Sequence, residues 1–315
     1  MITPALSALL KQYPTAKFTF LTSNDGKRTL GDFSEKIQDF VLYKRGGLFP
    51  SLARHSIINM LKNNDFDHIY NFECHPEYRK IFSASKAKVH EIRNANEKKH
   101  YAQLSLDVVS SGLGHDVGFY PSFLPVQEEA KIKNNQYLSG FDITKQTLLL
   151  AIHPTFSGAG KWCRSKKHLK HKLWPPAFFG ALADRLKEFS EQNQFEMKIV
   201  MNLMKEECWF GEKIIQASHN SVEILSPPPD FQQYKAFLKR VDLLITPDTG
   251  PMHIAAALGT KMVALFSGKS PEDCGPFPPS EQFKVLRAED TEAPEKGIAA
   301  ITVDDVYSAC VEMMG

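Results

Sequence analysis

VDLLITPDTGPMHIAAALGTKMVALFSGKSPEDCGPFPP, Val241 to Pro279, reads as strand, tight turn, helix, strand and loop. Leu243, Leu244 and Ile245 form the short apolar run of a buried parallel strand. Pro247, Asp248, Thr249 and Gly250 break the run, and Pro251 suits the first position of a helix. Met252 and Ile254 to Leu258 continue that helix, and Gly259 stops it. Met262 to Phe266 is the next strand. The turn is thus expected to place backbone N–H groups, a hydroxyl and the positive end of a helix dipole at the carboxyl end of a sheet. Phosphates bind to such termini, and open α/β sheets bind ligands at that edge. Taken alone, Asp-Thr-Gly fits a plain turn and helix cap equally well.

Strands and helices alternate through both halves of the chain. Lys17–Thr22, Phe40–Tyr43, Asp67–Phe72 and Lys86–Val89 read as strands in the first half. Thr3–Tyr13, Ser51–Asn63 and Tyr101–Gly112 read as helices. The second half opens with a strand at Leu148–His153. It continues through a helix (Ala177–Glu191), a strand (Lys198–Met201), a helix (Gly211–His219), a short strand (Val222–Leu225) and a helix (Phe231–Lys239). This alternation predicts α/β architecture with two doubly wound parallel sheets. The domains are expected at 1–135 and 136–315, joined within the polar stretch Gln127–Gln146, with the ligand in the cleft between them.

The 315 residues are ample for two such domains, and 43% hydrophobic with 23% charged residues is a globular composition. No apolar run reaches the ~20 residues of a membrane span, and the N-terminus lacks the pattern of a secretory signal. The five cysteines show no CxxC pairing, so free thiols, a cytoplasmic setting and no metal site are expected. A net charge of +2 does not suit a nucleic-acid polycation. The densest charge run, Lys161–Lys172, reads either as a solvated loop or as an anion-binding flap.

The Val241–Pro279 stretch resembles glycosyltransferase family 9, the ADP-heptose:lipopolysaccharide heptosyltransferases. The resemblance rests on Asp248-Thr249-Gly250, His253, Ala255-Ala256-Ala257-Leu258-Gly259, Val263–Phe266 and Gly275-Pro276. Thr3-Pro4, Tyr13-Pro14, His100-Tyr101, His153-Pro154 and Trp174-Pro175 extend it over the chain. It implies GT-B architecture, two Rossmann-like domains facing each other. It further implies inverting transfer of a heptose from ADP-heptose to a lipopolysaccharide core or related anionic glycan acceptor. Neither a cofactor nor a metal is required, and contact with the inner membrane would be peripheral. Lys172 matches the family's phosphate-binding lysine, and Asp248 would bind sugar hydroxyls or order the turn.

Inverting sugar transfer needs a base, an aligned acceptor oxygen and stabilisation of the departing diphosphate. Thr249 and Gly250 can donate at the helix terminus. His253, one turn along on the same face, can donate to sugar or phosphate, or simply be a hydrogen-bonded helix-end histidine. Thr155 and Ser157 offer hydroxyls after a strand, and Glu206 or Glu207 can accept from the ribose. Two alternatives from other classes are a nucleotide-sugar-binding protein without turnover and a sugar-nucleotide epimerase.

Relatives begin with a strand ending in Gly-Asp a few residues before the Thr-Pro, and that Asp would be the base. Here Thr3 follows Met1 by two residues, so the first strand of the N-terminal domain and its Asp are expected to be missing. The expected outcome is ADP binding with poor sugar transfer, restored in an N-terminally extended form carrying Gly-Asp. Paired transfer assays, with folding checked by thermal melts, measure this. Full transfer by the 315-residue form would place the base elsewhere.

Overall fold

The computed structural model describes residues 1–43, 45, 50–92, 98–156, 166–219 and 221–315; within these, the side chains of 38, 50 and 166–168 are left out. The chain divides into two compact units, Met1–Pro125 and Val126–Gly315. The division precedes the expected break at 135/136. The reason is helix Glu128–Ser139, which packs on the helix Phe231–Arg240 and so belongs to the second unit.

Unit 1 runs α1 (Thr3–Gln12), β1 (Phe18–Thr22), α2 (Asn24–Leu30), β2 (Ile37–Leu42), α3 (Pro50–Asn63), β3 (His68–Asn71), α4 (Pro76–Phe82), β4 (Lys88–Glu91) and α5 (Tyr101–Leu113). Its strands form two separate parallel pairs, β1–β2 and β3–β4. Side-chain alternation along a strand sends neighbours to opposite faces, and the two apolar clusters follow it. Tyr70 and Phe72 pack with α1 and α5 around Ala5, Leu9, Leu106 and Val109. Ile69, Leu21 and Val41 pack with α3 and α4 around Ile57, Leu61 and Ile81. Helices therefore cover both faces, as parallel strands require. The expected strand at Lys86–Val89 is displaced to Lys88–Glu91. There His90 is buried and stacks on Tyr70 at 4.8 Å, an aromatic contact that apolar periodicity does not reveal.

Unit 2 runs α6 (Glu128–Ser139), β5 (Leu148–Ile152), α7 (Lys166–Lys172), α8 (Pro176–Gln192), β6 (Met197–Asn202), α9 (Cys208–Ala217), β7 (Glu223–Leu225), α10 (Phe231–Arg240), β8 (Leu243–Pro247), α11 (Gly250–Leu258), β9 (Met262–Phe266), α12 (Pro271–Cys274), β10 (Phe283–Arg287) and α13 (Val303–Met314). All six strands are parallel, in the order β10-β9-β8-β5-β6-β7. This is the doubly wound order, whose direction of winding reverses between β5 and β8. β8 and β9 are buried along their whole length, which explains their unbroken apolar sequence. The β5–β8 junction is fixed at its start by Asp242. One of its carboxylate oxygens accepts from Leu149 N–H at 2.7 Å and from Arg240 at 2.9 Å.

Helices α8 and α9 cross closely at Gly180. A Cβ added there would stand 2.6 Å from the Ala217 carbonyl carbon and oxygen. Backbone cannot yield as a side-chain tip can, so Gly180→Ala is expected to cost about 1–3 kcal/mol of stability. Urea unfolding should show a lower midpoint at unchanged slope.

Candidate functional site

At the reversal point the carboxyl ends of β5 and β8 lie side by side, in register Leu150 with Leu243 through Ile152 with Ile245. His153 N–H continues the pairing onto Ile245 carbonyl at 3.0 Å. Beyond β5 the chain delivers His153 and Thr155. Beyond β8 it delivers Asp248, Thr249 and the first turn of α11. A crevice of this kind is where doubly wound sheets bind nucleotides.

Thr249 caps α11 with an extended backbone, but its side chain makes no bond to the first turn. Its hydroxyl pairs with that of Thr246 at 3.0 Å, and Thr246 donates to Pro247 carbonyl, also at 3.0 Å. A threonine has one hydroxyl proton, so in this pair Thr249 donates and Thr246 accepts. Within the Asp-Thr-Gly turn, Thr249 holds the cap position. The Thr249 hydroxyl is turned inward and buried, leaving backbone N–H groups as the donors of the turn. No acidic side chain sits in that first turn. A Cβ at Gly250 would meet nothing within 4 Å, so open space adjoins the helix terminus.

Lys172, the last residue of α7, reaches this turn. Its ammonium donates to Asp248 carbonyl at 2.9 Å and to Asp248 Oδ2 at 3.1 Å. The other Asp248 oxygen lies 4.0 Å from His253 Nε2. Both partners of the ion pair are partly open, with side-chain exposures of 28% for Lys172 and 15% for Asp248. Nearby, burial first and then the Asp248 charge push the Cys274 thiol up to about 11. Cys274 is thus a neutral thiol here, and its Sγ lies 3.5 Å from Ser270 carbonyl.

On the β5 side, Thr155 Oγ1 donates to Glu207 Oε1 at 2.6 Å, and Met204 N–H donates to Glu207 Oε2 at 2.9 Å. Glu207 therefore ties the segment after β6 to the end of β5. Glu206 is exposed to solvent. The Glu207 charge also reaches His153 and Tyr234. Desolvation lowers the His153 pKa, against the smaller opposing pull of Glu207. Among the expected site residues, the structure gathers Lys172, Asp248, Thr249, Gly250 and His253 at one turn, and Thr155 with Glu207 at the adjoining strand end. Ser157 and residues 161–165 of the basic run lie outside the described residues. Thr246 and Tyr234 carried no sequence signal, since a buried threonine in a strand and a tyrosine in a helix are both ordinary. Among the described residues no group of three or more His, Cys, Asp or Glu side chains is placed to hold a metal.

The α/β fold with its parallel sheet matches that of solved GT-B structures. Residues 159–301 match the model of glycosyltransferase family 9 (heptosyltransferase). Lipopolysaccharide core heptosyltransferase OpsX of Haemophilus influenzae is 32% identical over 73 residues, 23% of this chain and 21% of that protein's length. Lipopolysaccharide heptosyltransferase 3 of Escherichia coli is 24% identical over 294 residues, 84% of this chain and 79% of its own. The solved E. coli heptosyltransferase WaaC with ADP shares the fold at TM-score 0.69 and 13% identity, over 99% of this chain and 95% of that one.

His153 supplies a pH test of this site. Its folded pKa lies below the ordinary 6.5. The unfolded chain therefore binds the extra proton first as pH falls. Stability from the neutral ring is complete above pH 6.5 and is lost progressively below it. Thermal melts of wild type should show a steeper fall in Tm on acidification below that pH than melts of His153→Asn.

Proposed function

We propose that this protein is an inverting transferase that moves a heptose from ADP-heptose to a lipopolysaccharide core or related anionic glycan acceptor. One observation carries the reading: the Lys172 ammonium sits on Asp248 at the N-terminus of α11. The bond from the anomeric carbon to the diphosphate breaks in this reaction, and negative charge builds on the departing phosphate oxygen. A lysine cation and the first-turn N–H groups of a helix both stabilise that charge, and more strongly as it grows. Asp248 holds Lys172 until a diphosphate replaces it, so the cation is neither buried unpaired nor released to solvent.

The remaining roles follow from position. His253 donates to the sugar or phosphate from the same end of α11. Asp248, released from Lys172, accepts from sugar hydroxyls. Glu207, at the end of the neighbouring strand pair, accepts from the ribose after exchanging its bond with Thr155. The names of the relatives support the sugar, and the ADP held by the E. coli enzyme supports the nucleotide. No described helix is long and apolar enough to cross a membrane. We place the reaction at the cytoplasmic face of the inner membrane, with peripheral contact to a glycolipid acceptor.

Lys172→Ala removes a charge-assisted hydrogen bond and is expected to weaken ADP binding by about 1.5–3 kcal/mol. Isothermal calorimetry measures it, and unchanged affinity would reject the role of Lys172. Release of ADP from ADP-heptose only when an acceptor glycan is added separates transfer from simple binding. An epimerised donor would instead indicate an epimerase.

A further inference from the structure

The seven residues of α7 are mostly lysine and histidine. Nothing within them explains why the helix ends with Lys172 against Asp248. Its seat is built by other elements. His171 Nδ1 lies 2.7 Å from Ser267 Oγ. Ser267 is buried and directly follows β9, the strand paired with β8. The next residue, Gly268, has φ +69°, and a Cβ there would stand 2.9 Å from the same Nδ1. The Gly268 N–H donates to Glu289 Oε1 at 2.6 Å, which ties the loop from its far side. Just past α7, the fully buried Trp174 donates its indole N–H to Ile301 carbonyl at 2.8 Å. The imidazole therefore lies over a glycine that leaves room for it, bonded to a hydroxyl that is itself fixed to the sheet.

We infer that His171 is a positioning residue for diphosphate binding: its bond to Ser267 sets the end of α7 so that Lys172 meets the N-terminus of α11. The inference rests on the reading that Lys172 binds the donor's diphosphate. His171 touches Ser267, and its effect on the ligand passes through Lys172. A lysine side chain has four rotatable carbons and loses considerable rotamer freedom when its ammonium is localised. Fixing the backbone beside it removes one part of that search before the ligand arrives. The Nδ1–hydroxyl bond can run in either direction, since a hydroxyl both donates and accepts. An asparagine amide presents a donor and an acceptor at about the same reach, so His171→Asn is the conservative replacement and His171→Ala the disruptive one.

Two measurements on the full chain test this. The first is calorimetry with ADP on wild type, His171→Ala, His171→Asn, Lys172→Ala and the His171→Ala/Lys172→Ala double variant. Loss of one hydrogen bond predicts about fivefold weaker binding for His171→Ala, with most of it recovered in His171→Asn. The double variant should bind no more weakly than Lys172→Ala alone, because residues that act through one another are not additive. The second is ligand-free acetylation of Lys172, quantified by peptide mass spectrometry. Modification should rise severalfold in His171→Ala and stay near wild type in His171→Asn. Ser267→Ala removes the same bond from the other side with a smaller change, and replaces His171→Ala if that variant fails to fold. Wild-type values for His171→Ala in both measurements would overturn the inference, as would full additivity in the double variant. Unchanged ADP affinity in Lys172→Ala would overturn the diphosphate reading instead, and the acetylation result would then decide the positioning role alone.

Discussion

Parallel pairing of β5 with β8 is the constraint on which the candidate site depends. The two strands are distant in sequence, and between them the chain builds β6, β7 and the helices that cover them. Only because winding reverses at this pair do the ends carrying Thr155 and Asp248 become neighbours. Asp242 reinforces the junction at the opposite end of the strands, where its carboxylate holds Leu149 N–H and the Arg240 guanidinium. The same arginine donates to the carbonyls of Thr144 and Thr147, both at 2.8 Å, and so ties the entry to β5 to the exit from α10.

The electrostatics of the turn follow from that placement. A helix N-terminus favours negative charge, and Asp248 supplies it in the ligand-free chain. Lys172 then offsets the carboxylate. Neither group is sealed from water, so under the proposed function a diphosphate would exchange for the carboxylate without stranding a buried charge, which would be costly. The inward turn of the Thr249 hydroxyl belongs to the same economy of donors. Thr246 lies in a fully buried strand and its hydroxyl oxygen needs a partner. Thr249 provides one, so the remaining donors of the turn come from the backbone.

Unit 1 shows what the same alternating pattern yields when the pairing is not continuous. Its residues alternate as in a doubly wound sheet, and helices cover both faces of its strands. Its four described strands nevertheless form two pairs with no ladder joining them. Sequence alternation therefore specifies which face each side chain takes, whereas continuity of a sheet depends on which backbones meet. Helix α6 carries a related lesson. Its polar surface resembles a linker, but Ala130, Asn134 and Leu138 are buried, and packing on α10 assigns it to unit 2.

Strong local signals were legible in the chain alone. The apolar runs of β5, β8 and β9, the proline and glycine that bracket α11, and the alternation that makes an α/β protein all follow from short-range physics. The family motif named Lys172, Asp248, Thr249, Gly250 and His253 as site residues. Local sequence does not contain the partner of each polar group. Asp248 reads as binding sugar hydroxyls or ordering the turn, and only the end of α7 gives it Lys172. Thr155 reads as a free hydroxyl until the segment after β6 brings Glu207 to it. His171 lies within a run of basic residues and gains a role only where Ser267 and Gly268 meet it from another strand. In each case the deciding bond joins residues far apart in sequence, so its energy depends on the tertiary fold.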